Sequence, residues 1–205
     1  MKAIECENIS KNFYKNKVLE NISLTVEENV AFQIKGENGS GKTTFLKILA
    51  GVDPDFTGKV LFYGKDIQNF DKEYLKNVVM LPSLPRFYND LTVLENINFY
   101  CSIYSVASFH VAQNHIVNSF GIENILNSRI DELSDGFKKR VSLCLGFIIK
   151  PKLLLIDEPY NFIDKNIKKV FDEEIKKLLA NGSTFIFSDN NMQSYGFGTT
   201  ESVVL

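Results

Sequence analysis

The chain has 205 residues, 44% of them hydrophobic and 23% charged, a balance sufficient for one large globular domain. Its 25 acids against 23 bases leave a net charge of −2, which gives no indication of electrostatic nucleic-acid binding as the main activity. No run reaches the roughly 18 apolar residues of a membrane-spanning helix, and the opening "MKAIECENISK" lacks the apolar core of a signal peptide.

The first third reads as β-rich. "AIECENIS" alternates, "VLENISLTV" follows, and "VAFQIKG" runs apolar into a glycine-rich turn. A helix over "GKTTFLKILAG" is expected to close at Gly51. "TGKVLFYGKDI" reads as a hairpin turning at Gly64, and "VVMLP" as a short strand stopped by Pro82. From Thr92 to about Asn127 the apolar spacing turns helical, through "LTVLENINFYCSIY" and "SFHVAQNHIVNSFGIENIL". "LSDGFKKR" then opens a helix over residues 134–150, with Ser134 as N-cap and Asp135 suited to the helix dipole. "KLLLIDEP" is a continuous apolar strand, as at the centre of a parallel sheet. "IDKNIKKVFDEEIKKLLANG" is an amphipathic helix closed by Gly182, whose "KKVFDEEIKK" face is expected in solvent with i,i+4 charge pairs. "STFIFSD" is another buried strand, and the tail adds a final strand from Ser202. Strands alternating with helices indicate α/β architecture.

Cys6, Cys101 and Cys144 stand singly among apolar neighbours and are expected as buried, reduced thiols. His110 and His115 are five apart, off one helical face, so they make no metal pair.

The strongest chemical signal is "GENGSGKTT", which fits G-x-x-x-x-G-K-[ST] between a strand and a helix. In Gly36, Asn38, Gly39, Ser40, Gly41, Lys42, Thr43 and Thr44, successive backbone N–H groups can curl around a phosphate. Lys42 can reach the β- and γ-phosphates, and the Thr43 hydroxyl can bind Mg²⁺. The second signal is "LLLIDEP". Asp157 at the strand's end can hold the same Mg²⁺, and Glu158 can polarise an attacking water. Together they indicate a Mg²⁺-dependent nucleoside triphosphatase, with Lys42 and Glu158 as its catalytic residues.

The order of phosphate loop, helical insert, "LSDGF", Asp-Glu strand and "NFID" resembles the nucleotide-binding subunit of ABC transporters, from Met1 to about Asn191. The resemblance implies a P-loop NTPase fold: a mainly parallel core sheet, an N-terminal antiparallel β subdomain and a helical subdomain. It assigns residues 1–82 and 151–205 to the core with its β subdomain, and 83–150 to the helical subdomain. It also implies two cassettes paired head to tail, in a homo- or heterodimer, burying two ATP molecules. Ser134 and the Gly136 amide would then meet the partner's ATP, and Asp164 would lie in the loop that crosses the dimer interface. Phe13, with Tyr14 as the alternative, falls where an aromatic ring stacks on adenine. "LTVLENINFY" matches the segment on which a separate polytopic permease docks, so the resemblance places the chain on the cytoplasmic face of a membrane.

Four positions depart from the pattern. Ser83 stands for the Q-loop glutamine, Asp189 for the switch histidine, and Asp135 and Phe137 for the Gly and Gln of the signature. An aspartate in place of histidine adds like charge beside a γ-phosphate, so ATP hydrolysis is expected to be slow or partner-dependent. Asn190 or Asn191 can substitute as a donor. The compact length resembles export ATPases, including the haem-exporter type of cytochrome c biogenesis. The alternatives are a degenerate cassette that binds ATP as a regulatory or structural partner, and a soluble ABC ATPase without a permease.

Overall fold

The structure, a computed structural model, describes residues 1–14, 16–69, 72–106, 115–190, 195–198 and 201–205. The elements run β1 (Lys2–Phe13), β2 (Asn16–Glu27), β3 (Ala31–Lys35), α1 (Lys42–Leu49), β4 (Thr57–Phe62), β5 (Lys65–Asp66), α2 (Lys72–Asn77), β6 (Val78–Leu81), α3 (Val93–Ile103) and α4 (His115–Ser119). They continue as α5 (Asp135–Ile149), β7 (Leu153–Asp157), α6 (Lys165–Ala180), β8 (Thr184–Ser188) and β9 (Glu201–Val204).

The strands form two sheets. One is antiparallel, in the order β2-β1-β4-β5. The other, in the order β6-β7-β8-β3-β9, pairs all its neighbours in parallel. A strand buried on both faces is apolar throughout, and its alternate residues feed two different cores. In β7, Leu154 and Ile156 pack with α3 to α6, while Leu153 and Leu155 pack with α1 and the antiparallel sheet. In β8, Phe185 and Phe187 go to the first core and Ile186 to the second. Each such side chain contributes about 1.5–3 kcal/mol on burial. The two cores pack on opposite faces of the parallel sheet, and β3 and β7 end at its C-terminal edge.

Over 92–127, where the sequence spacing turns helical, the described residues hold two helices and a turn: α3 ends at Ile103, α4 at Ser119, and a 3-10 turn follows at Glu123–Ile125. Gly121 at φ 64 lies in the left-handed region just after α4, where the helix cannot continue. His110 lies outside the described residues. Helix α2 carries no strong apolar period in "KEYLKN", and the sequence did not announce it. Buried Tyr74 anchors it by donating its hydroxyl to the Leu49 carbonyl.

The face of α6 also differs. Asp172 and Glu174 are buried. Asp172 accepts from the Tyr160 hydroxyl at 2.7 Å and from the Gly196 amide at 3.1 Å, so it ties α6 to two loops. Glu174 pairs with Lys177 at i,i+3. The three cysteines are buried and free, and burial pushes the Cys6 thiol up to about 12. Strand β9 begins at Glu201, one residue before the expected start, and adds to β3 in parallel.

Candidate active site

The glycine loop leaves β3 and enters α1 through Gly41, which is left-handed at φ 100. A Cβ there would meet Val18 O and Leu19 Cδ2 at 2.9 Å, so only glycine lets β2 pack against the helix start. That contact brings the β1–β2 hairpin, with Phe13 at its tip, beside the loop. The Phe13 ring is half exposed, with the Lys11 ammonium 4.8 Å from its centroid, while Tyr14 is fully exposed. Lys42 is buried and arches back over the loop, its Nζ donating to Gly36 O at 2.9 Å and Glu37 O at 2.8 Å. Gly39 has no heavy atom within 4 Å of an added Cβ. The Ser40 hydroxyl is buried with no hydrogen-bond partner among the described residues. Buried hydroxyls are ordinarily paired, so an orphan in a glycine loop at a helix start fits an anion that completes it. An open cleft lined by Gly36, Glu37, Asn38, Ser40 and Asn190 leads to it. Asn190 donates to Asn38 at 2.5 Å, joining the end of β8 to the loop, and Asn191 lies outside the described residues.

One residue beyond Lys42 on α1, the Thr43 hydroxyl donates to Asp157 Oδ2 at 2.7 Å. Ser188, at the end of β8, donates to Asp157 Oδ1 at 2.5 Å. Asp157 is buried, and its two oxygens are fixed by hydroxyls from separate elements. A carboxylate beside a threonine hydroxyl is a hard-oxygen donor set of the kind Mg²⁺ takes. Thr44 follows, half-buried on α1.

Glu158 takes a left-handed backbone at φ 48, a conformation that costs free energy for any residue but glycine and concentrates at functional sites. Its amide donates to Ser188 O at 3.2 Å and Ser188 Oγ at 3.1 Å. Its Oε2 accepts from Ser83 Oγ at 3.0 Å and Asn161 Nδ2 at 2.6 Å. Ser83, at the expected glutamine position, therefore reaches the glutamate directly.

Lys139 sits beneath this pair, fully buried. Its Nζ lies 3.4 Å from Ser83 O and 3.3 Å from Asp157 O. Burial pushes its ammonium down to about 8, against the opposing pull of the Asp157 and Glu158 charges.

The signature residues lie on the N-terminus of α5. Ser134 is its N-cap and accepts from Phe137 N at 3.4 Å. It is exposed, and among the described residues no hydrogen bond links it to the glycine loop of its own chain. Gly136 packs against the Phe162 carbonyl, 3.1 Å from where a Cβ would stand. Asp164 caps α6, accepting from Asn166 N at 2.8 Å and Ile167 N at 3.1 Å, and pairs with Arg140 of α5 at 2.6 Å.

At the switch position, the Asp189 carboxylate is buried and accepts from the Tyr195 hydroxyl at 3.1 Å. Gln33 donates to the same hydroxyl at 2.6 Å. Burial, and then the Asp189 charge, push the Tyr195 phenol upward. Its ring stacks on Phe197 at 5.2 Å and on Tyr160 at 5.6 Å.

The sequence expectation missed Lys139, Asn161, Ser188 and Tyr195. For Lys139 a signal existed: it lies three and four residues before Ser142 and Leu143, on the inward stripe of the helix.

A glycine loop that feeds a helix beside a second strand ending in Asp-Glu defines the P-loop nucleotide-binding class. The sequence profile described as "ABC transporter" matches residues 19–161, and the chain belongs to that family. It is 31% identical to the lipoprotein-releasing system ATP-binding protein of Wigglesworthia glossinidia brevipalpis, over 94% of this chain and 90% of that one. It is 30% identical to the spermidine/putrescine import ATP-binding protein of Mycoplasma capricolum, over 93% of this chain and 55% of the relative. Of this and other curated import relatives the chain spans 50–58% of the length. In fold it is similar to a dimeric ATP-binding cassette in a post-hydrolysis state bound to ADP and Pi, with TM-score 0.84 at 21% identity, covering 95% of this chain and 91% of the other.

Proposed function

We propose that the chain binds and hydrolyses Mg²⁺-ATP, works in a head-to-tail pair with a second cassette, and energises a transporter through a separate polytopic permease. The observation that carries this is one cluster: Thr43, Asp157 and Ser188 joined by hydrogen bonds, Glu158 held beside them, and the orphan Ser40 hydroxyl in the facing loop. Mg²⁺ held by Thr43 and Asp157 would neutralise phosphate charge next to two adjacent carboxylates. Lys42 would trade its loop carbonyls for phosphate oxygens, and Glu158 would take the proton of the attacking water. Ser134 and Gly136 would meet the partner's ATP, Asp164 would lie at the pair's seam, and Phe13 would stack on adenine.

No helix among the described residues is long and apolar enough to cross a membrane, which fits a permease on another chain. Its docking face would be the surface beside α3, where Leu84, Tyr88, Phe99 and Ile103 are exposed. The Asn96 side chain bonds Tyr88, Leu91 and Thr92, so this segment is preformed. The helical subdomain, residues 83–150, would carry both this face and the signature. The chain would then sit on the cytoplasmic face of the membrane. Export, of the haem-exporter type, is the finer proposal; Asp135 and Phe137 are compatible with export, because the resemblance implies a signature more tolerant at its third and fifth positions in relatives that serve export permeases.

A second assignment, a degenerate cassette that binds ATP without fast turnover, is favoured by the buried Asp189 in place of a phosphate-facing donor. Calorimetric ATP titration and a steady-state assay separate the two. We expect tight Mg²⁺-ATP binding that Lys42→Ala abolishes, a turnover below the ordinary range of about 1–1000 per second, and loss of that turnover with an ATP-trapped dimer in Glu158→Gln. Unchanged affinity in Lys42→Ala would refute the phosphate-loop assignment. An unaltered rate in Glu158→Gln would remove Glu158 from catalysis. Co-purification from membranes with a polytopic protein supports the transporter role, and with a distinct second cassette alone the regulatory one.

A further inference from the structure

Burying an ammonium is expensive, and a well-packed apolar side chain of similar volume is usually at least as stable. Lys139 is nevertheless 0% exposed, and it contacts two carbonyls, with no carboxylate among the described residues hydrogen-bonded to its Nζ. Those carbonyls belong to Ser83 and Asp157, the residues that flank the catalytic glutamate in space and in sequence. The Ser83 hydroxyl in turn donates to Glu158. Two neighbours of Lys139 on α5 grip the far side of the same turn. Gly136 lies against the Phe162 carbonyl, and Arg140 pairs with Asp164. The helix whose cap is exposed for another subunit's ATP thus reaches the Asp157–Asp164 turn at three points.

We propose that Lys139 is a positioning residue: its ammonium fixes the Ser83 and Asp157 carbonyls so that the Ser83 hydroxyl orients Glu158, and so couples the signature helix to the hydrolytic carboxylate of its own site. The proposal rests on Glu158 acting in ATP hydrolysis, as assigned above. Movement of α5 on engaging the partner's nucleotide would be transmitted through Lys139 to Ser83, and from Ser83 to Glu158. The cation also lies near the two carboxylates, where it opposes their mutual repulsion.

The test uses the full chain with single-turnover hydrolysis of radiolabelled ATP, which registers slow chemistry. Lys139→Met keeps the volume and removes the donor. It is expected to fold with an unchanged or higher melting temperature, to bind Mg²⁺-ATP within about twofold of the parent, and to hydrolyse it about 10- to 100-fold more slowly. Ser83→Ala is expected to slow hydrolysis without changing affinity, and Ser83→Thr to restore it. The double variant Lys139→Met/Ser83→Ala is expected to match the slower single variant, because both act on one orientation. A wild-type rate in Lys139→Met overturns the proposal, and so do multiplicative effects in the double variant or equal losses in affinity and rate. If Lys139→Met fails to fold, Lys139→Gln keeps a donor to one carbonyl, and a wild-type rate there together with one in Ser83→Ala overturns it equally. Absence of any hydrolysis by the parent chain, or a wild-type rate in Glu158→Gln, instead overturns the function on which the proposal rests.

Discussion

Asp189 stands at the position where the resemblance expects the switch histidine. On charge alone, a carboxylate at the switch position would repel a γ-phosphate. In the structure it is buried and accepts from Tyr195, whose ring is held in a stack with Tyr160 and Phe197. The carboxylate is therefore engaged away from the open cleft at the glycine loop, and the side chain that reaches that loop is Asn190. Asp189→Asn is expected to leave Mg²⁺-ATP affinity within about twofold. It should also lower stability by about 1–2 kcal/mol, since a hydrogen bond to a charged acceptor becomes a neutral one. Calorimetric titration and urea denaturation read the two quantities. A tenfold gain in affinity would show that the carboxylate faces phosphate after all. At this scale the motif residues were legible in the sequence, because Lys42, Thr43, Asp157 and Glu158 stand at fixed offsets from strand ends. Their supports were not. Ser83, Lys139 and Ser188 come from three separate segments, and no spacing in one sequence announces that they converge.

Among the elements, α5 and α6 meet where Arg140 pairs with Asp164. The Asp164 carboxyl is held below its ordinary value by the Ile167 and Asn166 amides, and then by the Arg140 guanidinium. A depressed folded value means that the ionised form favours folding. The contribution is present above the unfolded value of about 3.9, and it is lost as pH falls through the folded value. Asp164→Ala is thus expected to lower the urea midpoint by a constant amount from pH 7 to 5, with the difference from the parent shrinking below about pH 4. A difference that grows on acidification would contradict the capping role. Asp164→Asn keeps a competent cap and should recover most of the midpoint. The central strands β7 and β8 were legible because each is short with an uninterrupted apolar core, as in "LLLID" and "TFIFS". The helical insert was less so. Apolar spacing continues from Ile116 to Ile125 although Gly121 breaks the backbone between them. The acids of α6 misled for a related reason. Asp172 and Glu174 flank the apolar stripe of Phe171, Ile175 and Leu178; Tyr160 and Gly196, from distant loops, hold Asp172 inward, while Glu174 pairs with Lys177 on its own helix.

For the whole molecule the proposed pair sets the question of Asp135. It is the first residue of α5, exposed, at a helix N-terminus where a carboxylate stabilises the isolated chain by roughly 0.3–1 kcal/mol. In the proposed head-to-tail pair that helix end would face the partner's ATP, and the same charge would oppose closure. The two effects have opposite signs and are read separately. In a Glu158→Gln background, Asp135→Gly is expected to lower the melting temperature slightly and to tighten ATP-driven dimerisation by up to about tenfold at low salt. The effect is a surface charge acting over several ångströms, and the screening length falls from about 10 Å at 0.1 M to about 3 Å at 1 M ionic strength. Sedimentation equilibrium across that range should therefore show the tightening fade as salt rises. Tightening that persists at 1 M would assign it to the shape or flexibility of glycine rather than to lost charge. No tightening at any salt would mean that the carboxylate turns aside from the partner's nucleotide, leaving Ser134 and the Gly136 amide as the contacts that this helix end supplies.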